Sequence, residues 1–176
     1  MSNDEELVRL CIKKNRAAQK ELFEKYASKM MGICLRYTAN QEDAKDILQE
    51  GFVKVFTELE RFELRSSLYT WMARIFRNLA INKVTRGAAK YEHVELTENQ
   101  FETSEEEHTD AWGGLTPNEV LKYVQQLPDH YRVVINMYAI DGCTHEEIAE
   151  TLNISVGSSK SRLSRARALL RKEFNR

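Results

Sequence analysis

Apolar residues recur at intervals of three and four along most of this chain, and this spacing restricts its fold more than any other feature of the sequence. Leu7 and Cys11 begin the pattern, and Leu163, Ala166 and Leu170 end it. Residues three or four apart lie on one face of an α-helix, so each such stretch is expected to bury that face. Val, Ile and Thr form no alternating runs of the kind that predict β-strands. The spacing therefore predicts an all-α protein.

The composition fits one ordinary domain or two small ones. The chain has 176 residues, of which 42% are hydrophobic, with seven glycines and two prolines. Three cysteines, Cys11, Cys34 and Cys143, are far apart and lack metal-ligand spacing, so we expect reduced thiols in a cytoplasmic protein. The N-terminus is polar and acidic rather than a signal peptide, and no apolar run approaches the ~20 residues that span a bilayer.

About four helices are predicted in residues 1–88. The run Asn-Gln-Glu-Asp at 40–43 is typical of a helix start, because acids are favoured in the first turn. A broad apolar stripe follows at Ile47, Leu48, Phe52, Val55, Phe56 and Leu59. The fourth helix is predicted to begin near Ser66–Ser67, to run to about Thr85 and to end at Gly87.

An acidic segment separates two basic blocks. Residues 1–86 hold 16 Lys/Arg and 12 Asp/Glu, residues 87–119 hold one and nine, and residues 120–176 hold nine and six. The net charge of −1 conceals this asymmetry. Helical periodicity also fails in the acidic segment, so residues 89–116 are predicted to be a flexible linker. Its few aromatic residues leave two readings open, a solvated tether or a tether that docks on a partner.

The most specific local pattern lies in residues 144–172. Thr144 and Glu147 have the spacing of a capping box, which predicts a helix start. Asn153 tolerates the left-handed conformation that a tight turn needs, and Ser155 is suited to cap a second helix. Two short helices joined by such a turn form a helix-turn-helix.

The second helix of this motif has a dense basic face. Its cations are Lys160, Arg162, Arg165, Arg167, Arg171 and Lys172, against the single acid Glu173. Leu163, Ala166 and Leu170 mark the side that is expected to be buried. A short amphipathic helix with a basic face suits the major groove of DNA. A solvated basic helix, or one that meets an acidic partner, is the alternative.

Residues 67–86, SLYTWMARIFRNLAINKVTR, combine aromatic and basic side chains with no acid. On a helical wheel one face is apolar and is predicted to be core: Leu68, Met72, Ile75 and Leu79. Arg74, Asn78 and Asn82 share another face at i, i+4 and i+8. Aromatic rings stack on unpaired bases and arginine neutralises phosphates, so this side is a candidate surface for single-stranded nucleic acid. Core packing is the alternative for the aromatic residues, and Trp71 is open to both.

Three segments together resemble the group IV, or extracytoplasmic function (ECF), sigma factors of the sigma-70 family. They are QEDAKDILQEGFVKVF, then RF-x-x-x-SSLYTWMARIFRNLAINKVTR, and then LPDHYRVVINMYAIDGCTHEEIAETLNISVGSSKSRLSRARALLRK. The resemblance implies two small helical domains, a sigma-2-like bundle over 1–88 and a sigma-4-like helix-turn-helix over 117–176. It implies a non-enzymatic subunit that binds core RNA polymerase and promoter DNA, with no cofactor.

The resemblance also implies roles for particular residues. The D-A-x-D-x-x-Q-E pattern implies that core polymerase is bound by Asp43, Asp46, Gln49 and Glu50. The single-stranded −10 element would be held by Ser66, Ser67, Tyr69, Trp71, Arg74, Arg77, Asn78 and Asn82. The duplex −35 element would be read by Lys160, Ser161, Arg162, Ser164 and Arg165. An anti-sigma factor is a further partner that the family commonly has.

Three positions depart from the family pattern. Leu64 stands where the loop commonly has Gly, and Phe76 where a small residue is usual. Ser159 stands where a Val or Ile is usual, and its burial is expected to cost roughly 1–2 kcal/mol through lost apolar contact. The first two departures are expected to affect the backbone shape of the loop and the −10 base preference, and the third is expected to lower the stability of the C-terminal domain.

Two other classes of function are alternatives for this sequence. A helix-turn-helix regulator would bind duplex DNA as a dimer without polymerase. A helical enzyme finds little support, because the four histidines form no i, i+4 pair and Cys143 near His145 is a weak sign of a nucleophile.

Overall fold

A computed structural model of the chain describes residues 3–88 and 116–174. In these ranges no residue is in a β-strand, which confirms the all-α class. The α-helices are α1 (Asp4–Ile12), α2 (Arg16–Tyr37), α3 (Gln41–Glu58), α4 (Leu68–Ala88), α5 (Pro117–Gln126), α6 (Asp129–Ile135), α7 (His145–Leu152) and α8 (Val156–Phe174). The predicted linker lies outside the described residues except for Thr116. Among the described helices, none combines the length and apolar character needed to cross a membrane.

The chain divides into two compact units, Met1–Asn82 and Lys83–Arg176. In the first unit, α2 packs against both α1 and α3. Asn15 and Asn40 cap α2 and α3, since their side chains accept hydrogen bonds from Ala18 N and Asp43 N. The predicted helix start at 40–43 is thereby confirmed.

A polar contact ties α1 to α2. Asp4 accepts hydrogen bonds from Lys25 Nζ at 2.7 Å and from the Tyr26 hydroxyl at 2.8 Å. Burial raises the pKa of the Asp4 carboxyl, but these two donors outweigh it and the net pKa is lowered. Burial and the neighbouring Asp4 raise the pKa of Tyr26. The Asp4 carboxylate therefore holds α1 against α2 through two hydrogen bonds.

Phe76 belongs to the core, although the apolar face predicted for α4 did not include it. Its side chain is fully buried, and its ring meets that of Phe52 edge-on at a centroid distance of 5.3 Å. Gly51 on α3 makes room for it, because a Cβ at Gly51 would lie 2.2 Å from Phe76 Cε1. A large residue on α4 is thus matched by a missing side chain on α3.

Two details of α4 differ from the sequence expectation. The helix continues to Ala88, so Gly87 does not end it. Leu79 is only half-buried, whereas Ala80, Ile81 and Val84 join Leu68, Met72 and Ile75 in the core. The buried stripe is therefore wider than the spacing of four residues indicated.

In the second unit, α8 packs against α5, α6 and α7. A π-helical turn, Asn136–Ile140, continues α6 and ends before Gly142, which has a φ of +70°. Thr116 and Glu119 form a capping box at the start of α5, and Pro117 occupies its first turn as predicted. The sequence pattern did not reveal that the buried Arg132 donates to the carbonyl oxygens of Gln125 and Leu127 and pairs with Asp129.

Candidate nucleic-acid interface

Ser67 is the cap of α4. Its hydroxyl accepts a hydrogen bond from Thr70 N at 3.1 Å and lies 2.8 Å from the Thr70 hydroxyl, while its carbonyl accepts from Trp71 N. A side-chain oxygen that satisfies the third amide of a helix is the ordinary N-cap arrangement. Ser66 and Ser67 are both exposed, so the predicted base-binding loop lies at the surface.

Leu64 gives this loop its bend. Its φ is 57°, a left-handed conformation, and its side chain is 56% exposed. The family's usual Gly adopts this conformation freely, whereas an L-residue pays roughly 1–2 kcal/mol. The loop therefore has a backbone conformation that glycine adopts without strain, and the backbone of Leu64 is strained in the same conformation.

The long face of α4 is solvent-exposed where the sequence predicted it. Arg74, Asn78 and Asn82 are exposed, and Arg77 is half-buried beside them. The opposite side is core, so the helix cannot turn these residues inward without losing its packing. The face presents guanidinium and amide donors on a rigid element.

Trp71 has a packing role. Its side chain is half-buried and its ring lies 5.3 Å from the ring of Phe62 at an interplanar angle of 42°. The core contact is therefore present, and stacking on a base stays a prediction. Tyr69 lies two residues before Trp71 and is 41% exposed. The Lys29 ammonium is 5.7 Å from the centroid of its ring.

The acidic pattern on α3 forms a surface. Asp46, Gln49 and Glu50 are exposed, and Asp43 is half-buried. Asp43 also accepts a hydrogen bond from Asn40 Nδ2 at 2.8 Å, which links this carboxylate to the helix cap. Val53, the next exposed residue one turn along, is 67% exposed.

The helix-turn-helix has the predicted geometry. The Thr144–Glu147 capping box begins α7, and Asn153 has φ 53° and ψ 48° at its end. Ile154 N donates to Ala149 O at 3.0 Å, which closes the turn. Ser155 then caps α8 by accepting from Ser158 N at 3.0 Å.

The predicted DNA-reading residues of α8 lie on its accessible side. Lys160, Ser161 and Ser164 are exposed, while Arg162 and Arg165 are half-buried. Leu163, Ala166 and Leu170 are buried on the opposite side, as predicted.

Ser159 is fully buried, but its hydroxyl is satisfied. Its Oγ lies 2.8 Å from His145 Nδ1 on α7. The His145 ring stacks on Tyr138 at 4.7 Å and 25°, and Arg167 lies over the Tyr138 ring at 5.6 Å. The expected cost from lost apolar burial is thus offset by a hydrogen bond between the two helices of the motif. The sequence offered no sign of this partner, which is 14 residues away.

The surroundings of His145 disfavour its charged form. Burial lowers its pKa below the ordinary 6.5, and the charges of Lys160 and Arg167 lower it further, against a smaller raising effect of Glu146. Burial raises the pKa of Cys11 to about 11 and of Cys34 to about 12, so neither of these two thiols is activated as a nucleophile. Within residues 3–88 and 116–174, no group of three His, Cys, Asp or Glu side chains could hold a metal ion.

An all-α chain with an exposed cationic helix in one unit and a basic helix-turn-helix in the other is of the DNA-binding class. Residues 22–90 match the family described as Sigma-70 region 2, and residues 118–170 match Sigma-70, region 4. The ECF RNA polymerase sigma factor SigW of Bacillus subtilis (strain 168) is 32% identical over 163 residues, covering 88% of this chain and 87% of SigW. The RNA polymerase sigma-H factor of Pseudomonas aeruginosa is 28% identical over 178 residues, covering 96% of this chain and 92% of that protein.

The fold agrees with these matches. The solved structure of the sigma factor RpoE in complex with the anti-sigma factor NepR, from Bartonella quintana, has a TM-score of 0.51 and 22% identity, and covers 89% of this chain and 95% of RpoE. The chain belongs to the ECF sigma factors of the sigma-70 family. It is an alternative sigma factor, and sigma factors are non-enzymatic initiation factors of transcription. A regulator that acts without polymerase is not favoured, because region 2 is matched as well as region 4.

Proposed function

We propose that the chain brings core RNA polymerase to promoters through three surfaces on two domains, residues 1–88 and 117–176, joined by the acidic linker. Family matches at 22–90 and 118–170 support these limits. The observation that carries the proposal is the face of α4, where Arg74, Asn78 and Asn82 are exposed in register on a helix fixed by its buried side.

The polymerase-binding surface is the acidic side of α3. Its residues are Asp43, Asp46, Gln49 and Glu50. Carboxylates and an amide grouped on one rigid helix offer a patch that is complementary to a basic partner surface. The charge of this patch affects the rate of assembly more than its final stability.

The −10 surface consists of the loop before α4 and the exposed side of that helix. Ser66, Ser67 and Tyr69 lie beside the flipped base. The strand itself is held by Trp71, Arg74, Arg77, Asn78 and Asn82. Flipping a base costs a few kcal/mol, and a site that binds only the flipped form offsets part of that cost. Strand melting is thereby coupled to sequence recognition, and no nucleotide hydrolysis is needed.

The −35 surface is the accessible side of α8. Lys160, Ser161, Arg162, Ser164 and Arg165 reach base edges and phosphates of duplex DNA in the major groove. The chain itself catalyses no reaction and works in the cytoplasm. An anti-sigma factor that covers both DNA surfaces is a further partner. RpoE, which shares this fold, is seen in complex with the anti-sigma factor NepR.

Run-off transcription with bacterial core RNA polymerase on genomic fragments from the protein's own source tests the proposal. We expect discrete new transcripts that disappear with Asn78→Ala or Arg165→Ala. The matched controls are Lys20→Ala on α2 and Lys122→Ala on α5, both exposed and outside the three surfaces. Absence of transcripts, together with tight binding to duplex DNA in the absence of core polymerase, would refute the proposal in favour of a plain helix-turn-helix regulator.

A further inference from the structure

Lys29 has unusual surroundings for an exposed lysine. Its Nζ lies 5.7 Å from the ring centroid of Tyr69 and 5.9 Å from that of Tyr26. Both distances are within the ~6 Å at which a ring attracts a cation. One ammonium therefore touches two aromatic rings, one on its own helix and one at the start of α4.

Three other lysines of the same unit, Lys20, Lys25 and Lys54, are paired with acids. Lys20 pairs with Glu24 and Lys54 pairs with Glu58. Asp4 is the acid whose charge Lys29 feels, but that carboxylate is bound by Lys25 and Tyr26. Among the described residues, no carboxylate forms an ion pair with Lys29. Within residues 3–88 and 116–174 its charge is therefore not neutralised by an ion pair, so it is suited to bind a further anion.

The position of Tyr69 indicates which anion. It is the second residue of α4, two positions after the Ser67 cap, and the residue is 41% exposed. A half-exposed ring with an ammonium beside it presents a stacking surface and a positive charge together. Unpaired nucleotides carry the two matching features, a flat base and a phosphate.

We propose that Lys29 and Tyr69 form a further nucleotide subsite, in which Tyr69 stacks on an unpaired base and Lys29 neutralises the adjoining phosphate. The subsite extends the single-strand surface of α4 onto α2. It rests on the proposed function, because it takes the same melted strand. Lys29 also holds the Tyr69 ring in place when no DNA is bound.

The test uses the holoenzyme formed with core polymerase and a promoter mapped by run-off transcription. The probe is a fork in which the −10 region of the non-template strand is single-stranded, and its dissociation constant is measured against potassium chloride concentration. One phosphate contact contributes about 0.7 to the slope of log K against log salt for a single strand. Lys29→Gln is therefore expected to reduce the slope by about 0.7 and to weaken binding about fivefold at 0.1 M salt.

Matched variants separate charge from packing. Lys20→Gln, on the same helix and exposed, is expected to change neither quantity. Tyr69→Leu should weaken binding severalfold while leaving most of the salt slope in place. These opposite signatures distinguish a nucleotide subsite from a general loss of structure.

Three outcomes would overturn the subsite. An unchanged salt slope with Lys29→Gln would show that Lys29 contacts no phosphate. If Lys29→Gln reduced the salt slope equally on a fully duplex probe of the same promoter, Lys29 would contact double-stranded DNA instead. If wild-type holoenzyme bound the fork no better than core polymerase alone, the proposed −10 function and the subsite would be refuted together. This outcome differs from the other two because it is seen with the wild-type protein.

Discussion

His145 Nδ1 on α7 lies 2.8 Å from Ser159 Oγ on α8, so a hydrogen bond joins the two helices of the helix-turn-helix where an apolar contact is usual. The bond gives the buried hydroxyl of Ser159 a partner. It also fixes α8 from the side opposite its exposed residues Lys160, Ser161 and Ser164.

Removing either partner of this pair should destabilise the fold, and removing both should cost less than the sum. His145→Ala leaves a buried hydroxyl unsatisfied, which costs about 1–3 kcal/mol, and Ser159→Ala loses the bond at about 1 kcal/mol. We expect a coupling of about 0.5–1.5 kcal/mol in a double-mutant cycle of urea unfolding. Ser161→Ala, exposed on the same helix, is the control. Strict additivity would show that the bond contributes nothing.

His145 should also make stability depend on pH. Its pKa in the folded chain is below 6.5, so the unfolded chain binds the proton more readily. The free energy of unfolding therefore falls as the pH drops below about 6.5. Above that value His145 is neutral in both the folded and the unfolded chain, and its titration no longer changes the stability. Unfolding of wild type and His145→Gln between pH 5 and 8 measures it. The variant should lose part of the acid-side decline, and identical profiles would contradict the prediction.

Gly51→Ala should destabilise the first unit although alanine favours helices. The new Cβ would lie 2.2 Å from Phe76 Cε1, and overpacking of a core costs about 1–3 kcal/mol. Gly32→Ala in α2 is the matched control, since nothing lies within 4 Å of its Cβ position. There we expect stabilisation of up to ~1 kcal/mol, the ordinary helix preference. Adding Phe76→Leu should recover part of the loss at Gly51. Equal effects at the two glycines would refute the clash.

Leu64→Gly should be neutral or stabilising by up to ~1 kcal/mol, because the left-handed strain that it removes slightly exceeds the added freedom of the unfolded chain. Leu64→Val should destabilise, since β-branched residues tolerate a φ of 57° least. Thermal unfolding of both variants measures the difference. A loss of more than 1 kcal/mol in Leu64→Gly would mean that the exposed leucine side chain itself is needed.

Much of the fold could be predicted from residues close together in the chain. The capping box at Thr144, the left-handed Asn153 and the Ser155 cap were all foreseen, because each depends on neighbours within three or four positions. The exposed row of Arg74, Asn78 and Asn82 follows from helical spacing alone. The family membership was carried by the same local motifs and is confirmed by matches to both regions.

The sequence did not reveal which side chains contact each other across different helices. Phe76 fits because Gly51 lacks a side chain, and Ser159 is satisfied because His145 reaches it. Lys29 meets Tyr69, 40 positions later, and no spacing rule predicts that contact. The sequence marked Leu64, Phe76 and Ser159 as departures, but it could not say which residues compensate.

The division has a physical reason. Helix starts, caps, turns and faces are set by steric and hydrogen-bonding preferences that act within one or two turns, so the sequence by itself determined the helices and their accessible sides. Which side chains meet across the helices depends on how whole faces pack at close-packed density. Only the tertiary structure could therefore decide that Phe76 fills the space above Gly51, that His145 holds Ser159, and that Lys29 lies against Tyr69.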